Sequence, residues 1–156
     1  MERIASFSVN HDKLKKGMYT SRVDSTDIIT YDIRMKEPNQ GDYLSTGGAH
    51  TMEHLFATYA RNSPISDRVI YVGPMGCRTG FYLVTKGLSH QDAIWLVRQS
   101  MLFIRDFKGD IPGATQPECG NYADQNLDEA HKVAADMSVI LDGWTPDKLE
   151  YQFYLD

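Results

Sequence analysis

The chain has 156 residues, of which 42% are hydrophobic and 24% charged, and its net charge is −5. This size and composition predict one globular domain that spans residues 1–156 and buries a sizeable core. The acidic balance, without a basic cluster, argues against nucleic acid and anionic membrane as partners. No apolar run reaches the length of a membrane span and the first residues lack the apolar core of a signal peptide, so we expect a cytoplasmic protein.

The first segments of the chain predict β-structure. Residues 6–9 alternate in polarity like a short edge strand. Residues 17–23 and 28–35 predict an antiparallel hairpin, because a short turn separates two segments rich in β-branched and aromatic residues. Asp32 and Arg34 share one face of the second strand. Arg34 either forms an ion pair there or binds an anion at a functional site.

Residues 47–61 predict an amphipathic helix whose polar face carries His50, Glu53 and His54. Two imidazoles four residues apart lie close enough to bind one metal ion, and a free carboxylate beside them is suited to act as a general base. The same three side chains are also consistent with a solvated helix face that binds no metal. Two histidines are too few for a catalytic divalent site, so a third ligand must come from elsewhere in the chain.

Two further strands, residues 67–72 and 81–85, flank a glycine-rich loop that contains Cys77 and Arg78. In a reducing compartment a cysteine more often binds metal or takes part in chemistry than forms a disulfide. The neighbouring cation favours the thiolate form, and the flanking glycines permit close approach of a ligand. The alternative is that Cys77 is a small buried apolar residue.

The second half of the chain predicts helices around an irregular segment. Residues 93–107 form a long helix that is apolar nearly all round, which indicates a buried element or a subunit interface. Residues 108–125 are rich in glycine and proline, and segments of this length are often functional. This segment contains Cys119, our candidate third ligand, and a thiolate with two imidazoles suits Zn²⁺ or Fe²⁺ better than Mg²⁺ or Ca²⁺. A last long helix is predicted to begin at Asn126 or Asp128 and to continue through Leu141.

Several of these segments together resemble the S-ribosylhomocysteine lyase family, the enzymes of autoinducer-2 synthesis. The matching segments are residues 50–55 (HTMEHL), 74–82 (PMGCRTGFY) and 119–122 (CGNY), and residues 31–34, 38–39 and 61–62 also match. The resemblance covers essentially the whole chain, in order and at the length of the family. Two positions depart from it, because Tyr71 and Gly73 stand where the family usually carries Asp and Ser.

The resemblance implies an α/β (α+β) two-layer sandwich, with an antiparallel sheet packed against helices, that works as a homodimer with active sites near the subunit interface. It implies cleavage of the small-molecule substrate S-ribosyl-L-homocysteine to L-homocysteine and 4,5-dihydroxy-2,3-pentanedione, the autoinducer-2 precursor of quorum sensing. The reaction is carbonyl migration followed by β-elimination of the thioether. The implied cofactor is one Fe²⁺ per subunit, with Zn²⁺ or Co²⁺ as substitutes, and no organic cofactor.

The resemblance also implies roles for eight residues: the metal ligands His50, His54 and Cys119, the acid/base pair Glu53 and Cys77, and the substrate-binding residues Ser6, His11 and Arg34. Two other functions compete with this one. A metal-dependent hydrolase of the inverted zincin type would use a carboxylate as third ligand and a larger chain. A structural zinc site in a dimeric binding protein would be closed by four protein ligands.

Overall fold

The computed structural model describes all residues from Met1 to Asp156. Its strands and α-helices, in chain order, are β1 (Gly17–Asp24), β2 (Ile28–Arg34), α1 (Thr46–Asn62), β3 (Val69–Pro74), β4 (Gly80–Lys86), α2 (His90–Asp106) and α3 (Leu127–Ile140). Short 3-10 helices lie at Ala5–Phe7, Ser66–Arg68 and Pro146–Leu149. None of the helices is both long enough and apolar enough to cross a lipid bilayer.

The four strands form one antiparallel sheet in the order β1-β2-β4-β3. Alternation along β2 gives the sheet two different faces. Tyr31 and Ile33 are fully buried in the core that the sheet shares with the helices. Asp32 and Arg34 point to the opposite face, yet they are also buried. The predicted α+β class, an antiparallel sheet packed against helices, is confirmed.

Helix α1 packs its apolar face on the sheet. Met52, Leu55 and Phe56 are fully buried, and the Phe56 ring lies 6.1 Å from the ring of Phe81 on β4. The period of the helix then leaves its polar side chains on the face away from this core, where ligands can reach them. The core therefore fixes the direction in which the histidines of α1 point.

The start of α1 is held by a residue of α3. Ser45 caps the helix, since its Oγ accepts a hydrogen bond from the Gly48 N–H at 2.9 Å. Glu129 accepts hydrogen bonds from both the backbone N–H of Ser45, at 3.1 Å, and its hydroxyl. A distant glutamate thus replaces the local Glu of a capping box and ties α3 to the helix that carries the histidines.

Gly48→Ala tests this connection. Alanine normally stabilises a helix relative to glycine, but here its Cβ would overlap the Glu129 carboxylate. We expect the variant to lower the free energy of unfolding by about 1–3 kcal/mol, because Glu129 must leave Ser45. Gly76→Ala is the control, since its Cβ would meet no heavy atom within 4 Å. Equal stability of the two variants in denaturant titrations would contradict the prediction.

The predicted edge strand over residues 6–9 is wrong. Ala5–Phe7 is a 3-10 helix, and only Val9 forms an isolated bridge, with Tyr154. The neighbouring backbone bonds run from Leu155 N to Ser8 O at 2.7 Å and from Asn10 N to Phe153 O at 3.1 Å. The alternating pattern thus reflects a brief pairing between the two chain termini, too short to make a strand of the sheet.

Candidate functional site

Three predicted metal ligands lie together. The Nε2 atoms of His50 and His54 are 3.0 Å apart, and Cys119 Sγ lies 3.3 Å from the first and 3.9 Å from the second. All three donor atoms fall within 4.8 Å of one another. The two histidines come from adjacent turns of α1, and the cysteine comes from the irregular segment between α2 and α3.

The hydrogen bonds of the two imidazoles show that the group fits a cation. His50 Nδ1 lies 2.8 Å from the carbonyl oxygen of Asp124, and His54 Nδ1 lies 2.8 Å from that of Pro112. A carbonyl only accepts, so each Nδ1 must donate its proton, and each Nε2 keeps a lone pair. Two lone pairs and a sulfur facing one another repel unless a cation lies between them, and carbonyls behind histidines are the usual support of metal ligands.

Gln125 and Thr51 hold the segment that supplies one of these carbonyls. Thr51 Oγ1 donates to Gln125 Oε1 at 2.6 Å and accepts from the backbone N–H of Asn126 at 2.9 Å. The Gln125 amide nitrogen also lies 3.2 Å from His50 Nδ1, but it cannot donate to a nitrogen that carries a proton. The carbonyl of Asp124 is therefore the partner that fixes the tautomer of His50.

The donor set separates the competing functions. Within the chain the group consists of two imidazoles and one thiol, with no carboxylate. An inverted zincin hydrolase requires a carboxylate ligand, and a closed structural zinc site requires four protein ligands. A three-ligand set with nitrogen and sulfur donors instead leaves a position open, and it is selective for Zn²⁺ or Fe²⁺ over Mg²⁺ or Ca²⁺.

Glu53 borders the same cavity as His50, one of the three clustered residues. This cavity, of about 290 Å³, is lined by His50 and Glu53 on one side and by Gly76 and Arg78 on the other. The Glu53 carboxylate is not one of the clustered donor atoms, so it is free to exchange protons with a molecule in the cavity.

Cys77 lies in a second, larger cavity. Its thiol is exposed, and the cavity of about 430 Å³ is also lined by Ser6, His11 and Arg34. The three residues that the resemblance implied for substrate binding therefore meet around the cysteine. Phe7 and Tyr43 border this cavity too, and their side chains remain 64% and 39% exposed.

Arg34 links a buried carboxylate to the thiol. Its Nε and Nη2 donate to Asp32 at 3.1 and 2.6 Å, which leaves Nη1 to donate to Thr79 Oγ1 at 2.7 Å. Nη1 also lies 4.0 Å from Cys77 Sγ. Burial by itself would lower the pKa of Arg34, but the charge and hydrogen bonds of Asp32, with the Cys77 sulfur, raise it above its usual value, so the guanidinium stays charged.

Thr79 lies between Arg34 and the Cys77 sulfur and contacts both. Its Oγ1 is 3.0 Å from Cys77 Sγ. Because Arg34 donates to that oxygen, the hydroxyl proton of Thr79 is left for donation to the sulfur. A nearby cation and a donated hydrogen bond both favour the anionic form of a thiol, which is the reactive form.

Sequence reasoning missed the partners that hold these residues. Thr79 stands two residues after Cys77 in the glycine-rich loop, so its spacing was an available signal. The carbonyls of Pro112 and Asp124 have no such signal, because every residue has a carbonyl. The departures at Tyr71 and Gly73 are coupled, since a Cβ at Gly73 would overlap the Tyr71 hydroxyl.

The fold and the site define a class of protein: an α+β chain in which two histidines and one cysteine could hold a metal ion, with a second thiol in a separate cavity. The family model described as S-ribosylhomocysteinase (LuxS) matches residues 4–145, and the chain belongs to this family. It is 46% identical to the S-ribosylhomocysteine lyase of Clostridium acetobutylicum, over 97% of this chain and 99% of the relative. The enzymes of the same name from Phocaeicola vulgatus and Porphyromonas gingivalis are 45% and 42% identical, over 97% of this chain and 98% and 99% of theirs. The chain is therefore an enzyme of the lyase class, and the resemblance noted in the sequence is confirmed.

Proposed function

We propose that this enzyme cleaves S-ribosyl-L-homocysteine to L-homocysteine and 4,5-dihydroxy-2,3-pentanedione, the autoinducer-2 precursor. The observation that carries the proposal is the group of two imidazoles and one thiol within 4.8 Å, in a chain of this family. The relatives described above indicate the substrate, since they are S-ribosylhomocysteine lyases.

The substrate dictates which groups the reaction needs. The thioether sulfur can leave only when the adjacent carbon is acidic, and a sugar carbon becomes acidic only beside a carbonyl. The carbonyl must therefore migrate along the ribose before the carbon–sulfur bond breaks. Each migration removes a proton from one carbon and returns a proton to the next, so one base that can reach both carbons serves every step.

Cys77 and Glu53 carry out different proton transfers in this reaction. The Cys77 sulfur, which faces Arg34 and Thr79, removes and returns the protons on carbon. Glu53 exchanges the protons on the sugar hydroxyls and protonates the departing sulfur. No organic cofactor takes part.

The metal group completes the site. His50, His54 and Cys119 would hold the ion, and the cation of the proposal is Fe²⁺, with Zn²⁺ and Co²⁺ as substitutes. A bound divalent cation supplies Lewis-acid stabilisation of the negative charge that develops on the sugar oxygens. Ser6, His11 and Arg34 hold the rest of the substrate in the cavity beside the thiol.

The direct test is a free-thiol assay with S-ribosyl-L-homocysteine, on enzyme purified without oxygen and analysed for metal. The thiol released should match the diketone formed, measured as its adduct with an aromatic diamine. Release of free thiol without a dicarbonyl product, or no release at all by metal-loaded enzyme, would refute the proposed reaction.

We propose that the enzyme functions as a homodimer. In one chain His50 and Glu53 line one cavity, whereas Cys77 lines another. Phe7 and Tyr43 remain exposed at the edge of the Cys77 cavity, and exposed apolar side chains beside a site favour a covering partner. We place each site between subunits, with the metal and Glu53 from one and the Cys77 cavity from the other.

Mixing two inactive variants tests this arrangement. Subunit exchange between Glu53→Gln and Cys77→Ala should restore about one quarter of the wild-type rate, because about half of the dimers are mixed and each keeps one intact site. A mixture of Glu53→Gln with His54→Ala is the matched control and should stay inactive, since both changes affect the same side of the site. Failure of the first mixture, with exchange verified by mass spectrometry, would show that each site lies within one subunit.

A further inference from the structure

The C-terminal segment, residues 151–155, lies on the face of the sheet that carries Asp32. The Tyr151 hydroxyl donates to Asp32 Oδ2 at 2.5 Å, and both side chains are buried, at 8% and 1% exposure. The two residues are 119 positions apart in the chain. Tyr151 also lies beyond residues 4–145, which the family model matches.

The hydroxyl is the first member of a continuous chain of contacts. Tyr151 donates to Asp32, and Asp32 accepts two hydrogen bonds from Arg34. Arg34 donates to Thr79 and faces the Cys77 sulfur, and Thr79 lies 3.0 Å from that sulfur. Every link joins groups that are buried or adjacent to the thiol, where hydrogen bonds polarise one another strongly.

The position of the Tyr151 ring does not depend on its hydroxyl. The ring stacks on Tyr19, with centroids 5.1 Å apart and planes at 19°, and Tyr19 pairs with Asp32 across β1 and β2. Backbone hydrogen bonds from Leu155 to Ser8 and from Asn10 to Phe153 hold the same segment against the N-terminal part of the chain. Removal of the hydroxyl alone should therefore leave the segment in place.

We propose that Tyr151 is a positioning residue for Cys77, which it influences through Asp32 and Arg34. The proposal rests on the role given above to Cys77. The Tyr151 hydroxyl takes up part of the negative charge of Asp32, so that less of the Arg34 charge is neutralised and more acts on the sulfur. It also fixes the carboxylate that aims the guanidinium at the thiol.

Electrostatics support a permanent donor at this position. Burial, the charge of Asp32 and the hydrogen bond to it all raise the pKa of Tyr151 far above its ordinary value. The phenol therefore keeps its proton near neutral pH and donates it to the carboxylate. Without this donor, Asp32 would draw Arg34 more strongly to itself and away from Cys77.

The test compares Tyr151→Phe with Tyr154→Phe in the metal-loaded enzyme. Tyr154 lies in the same segment, its ring contacts Tyr151 edge-on at 6.1 Å, and it is 61% exposed, so its hydroxyl serves as the matched control. The first readout is the rate of Cys77 alkylation by iodoacetamide as a function of pH. Trypsin separates the two cysteines, because Cys77 falls in peptide 69–78 and Cys119 in peptide 109–132.

In Tyr151→Phe we expect the alkylation midpoint of Cys77 to move to higher pH by roughly half a unit to one unit. We expect kcat to fall roughly fivefold to twentyfold, with KM changed less than about twofold and metal content unchanged. Tyr154→Phe should match the wild type in all four measurements.

Two results would overturn the proposal. One is an alkylation profile and kcat in Tyr151→Phe equal to those of Tyr154→Phe. The other is a loss of rate and thermal stability with the alkylation midpoint unmoved, which would make Tyr151 a purely structural residue. If the wild type fails to release thiol from S-ribosyl-L-homocysteine, the proposed reaction is wrong, but the shift of the alkylation midpoint still decides the role of Tyr151.

Discussion

Cys77→Ala should lower homocysteine release from S-ribosyl-L-homocysteine by roughly 10³-fold or more and leave the metal content unchanged. In the proposed reaction the Cys77 sulfur carries out every proton transfer on carbon. Loss of a general acid or base usually lowers the rate by about 10²–10⁴-fold for a single transfer. The metal is unaffected because Cys77 lies outside the group formed by His50, His54 and Cys119. Steady-state thiol release and metal analysis of the same sample are the measurements.

Thr79→Ala provides a graded comparison with Cys77→Ala. It removes the hydroxyl that lies 3.0 Å from the sulfur but leaves Arg34 in place, so a loss of about tenfold is expected. A Cys77→Ala enzyme with near wild-type thiol release would show that another base moves the protons on carbon. Glu53 would then be the first candidate, since it lines the same cavity as His50.

The sequence predicted the group of His50, His54 and Cys119 because each residue has a strong local signal. The 3.6-residue period of α1 separates the face with Met52 and Phe56 from the face with His50 and His54, and the fold preserves this division. Cys119 was recognisable because an irregular segment of that length inside a small chain needs a functional reason. Local pattern and tertiary structure agree at these positions.

The supporting contacts were not predictable, for the opposite reason. Glu129 binds Ser45, the cap of α1, from 84 residues away, and Tyr151 binds Asp32 from 119 residues away. Neither residue lies in a local sequence pattern that predicts its partner, because the two contacts form only after the sheet and helices have assembled. The ion pair of Asp32 with Arg34 was open to prediction from strand alternation, but its burial and its contact with Cys77 depend on what covers that face of the sheet.

Cys119→Ala should lose the metal and the activity together. The variant leaves two imidazoles 3.0 Å apart as the only ligands in the group. Even a partner that merely supports a ligand contributes about 10–100-fold to metal affinity, so loss of the anionic ligand should weaken binding by more than about 100-fold. Metal bound after dialysis against a chelator of known affinity, determined by elemental analysis, gives the result directly.

Cys77→Ala is the matched control for Cys119→Ala, because each variant retains one of the two thiols of the chain. The pair should separate two properties: one variant binds metal without catalysis, and the other loses both. Retention of stoichiometric metal by Cys119→Ala would mean that the two imidazoles hold the cation with a different third group. The carbonyls behind His50 and His54 would then still fix both tautomers, so the error would lie in the third ligand and not in the histidine pair.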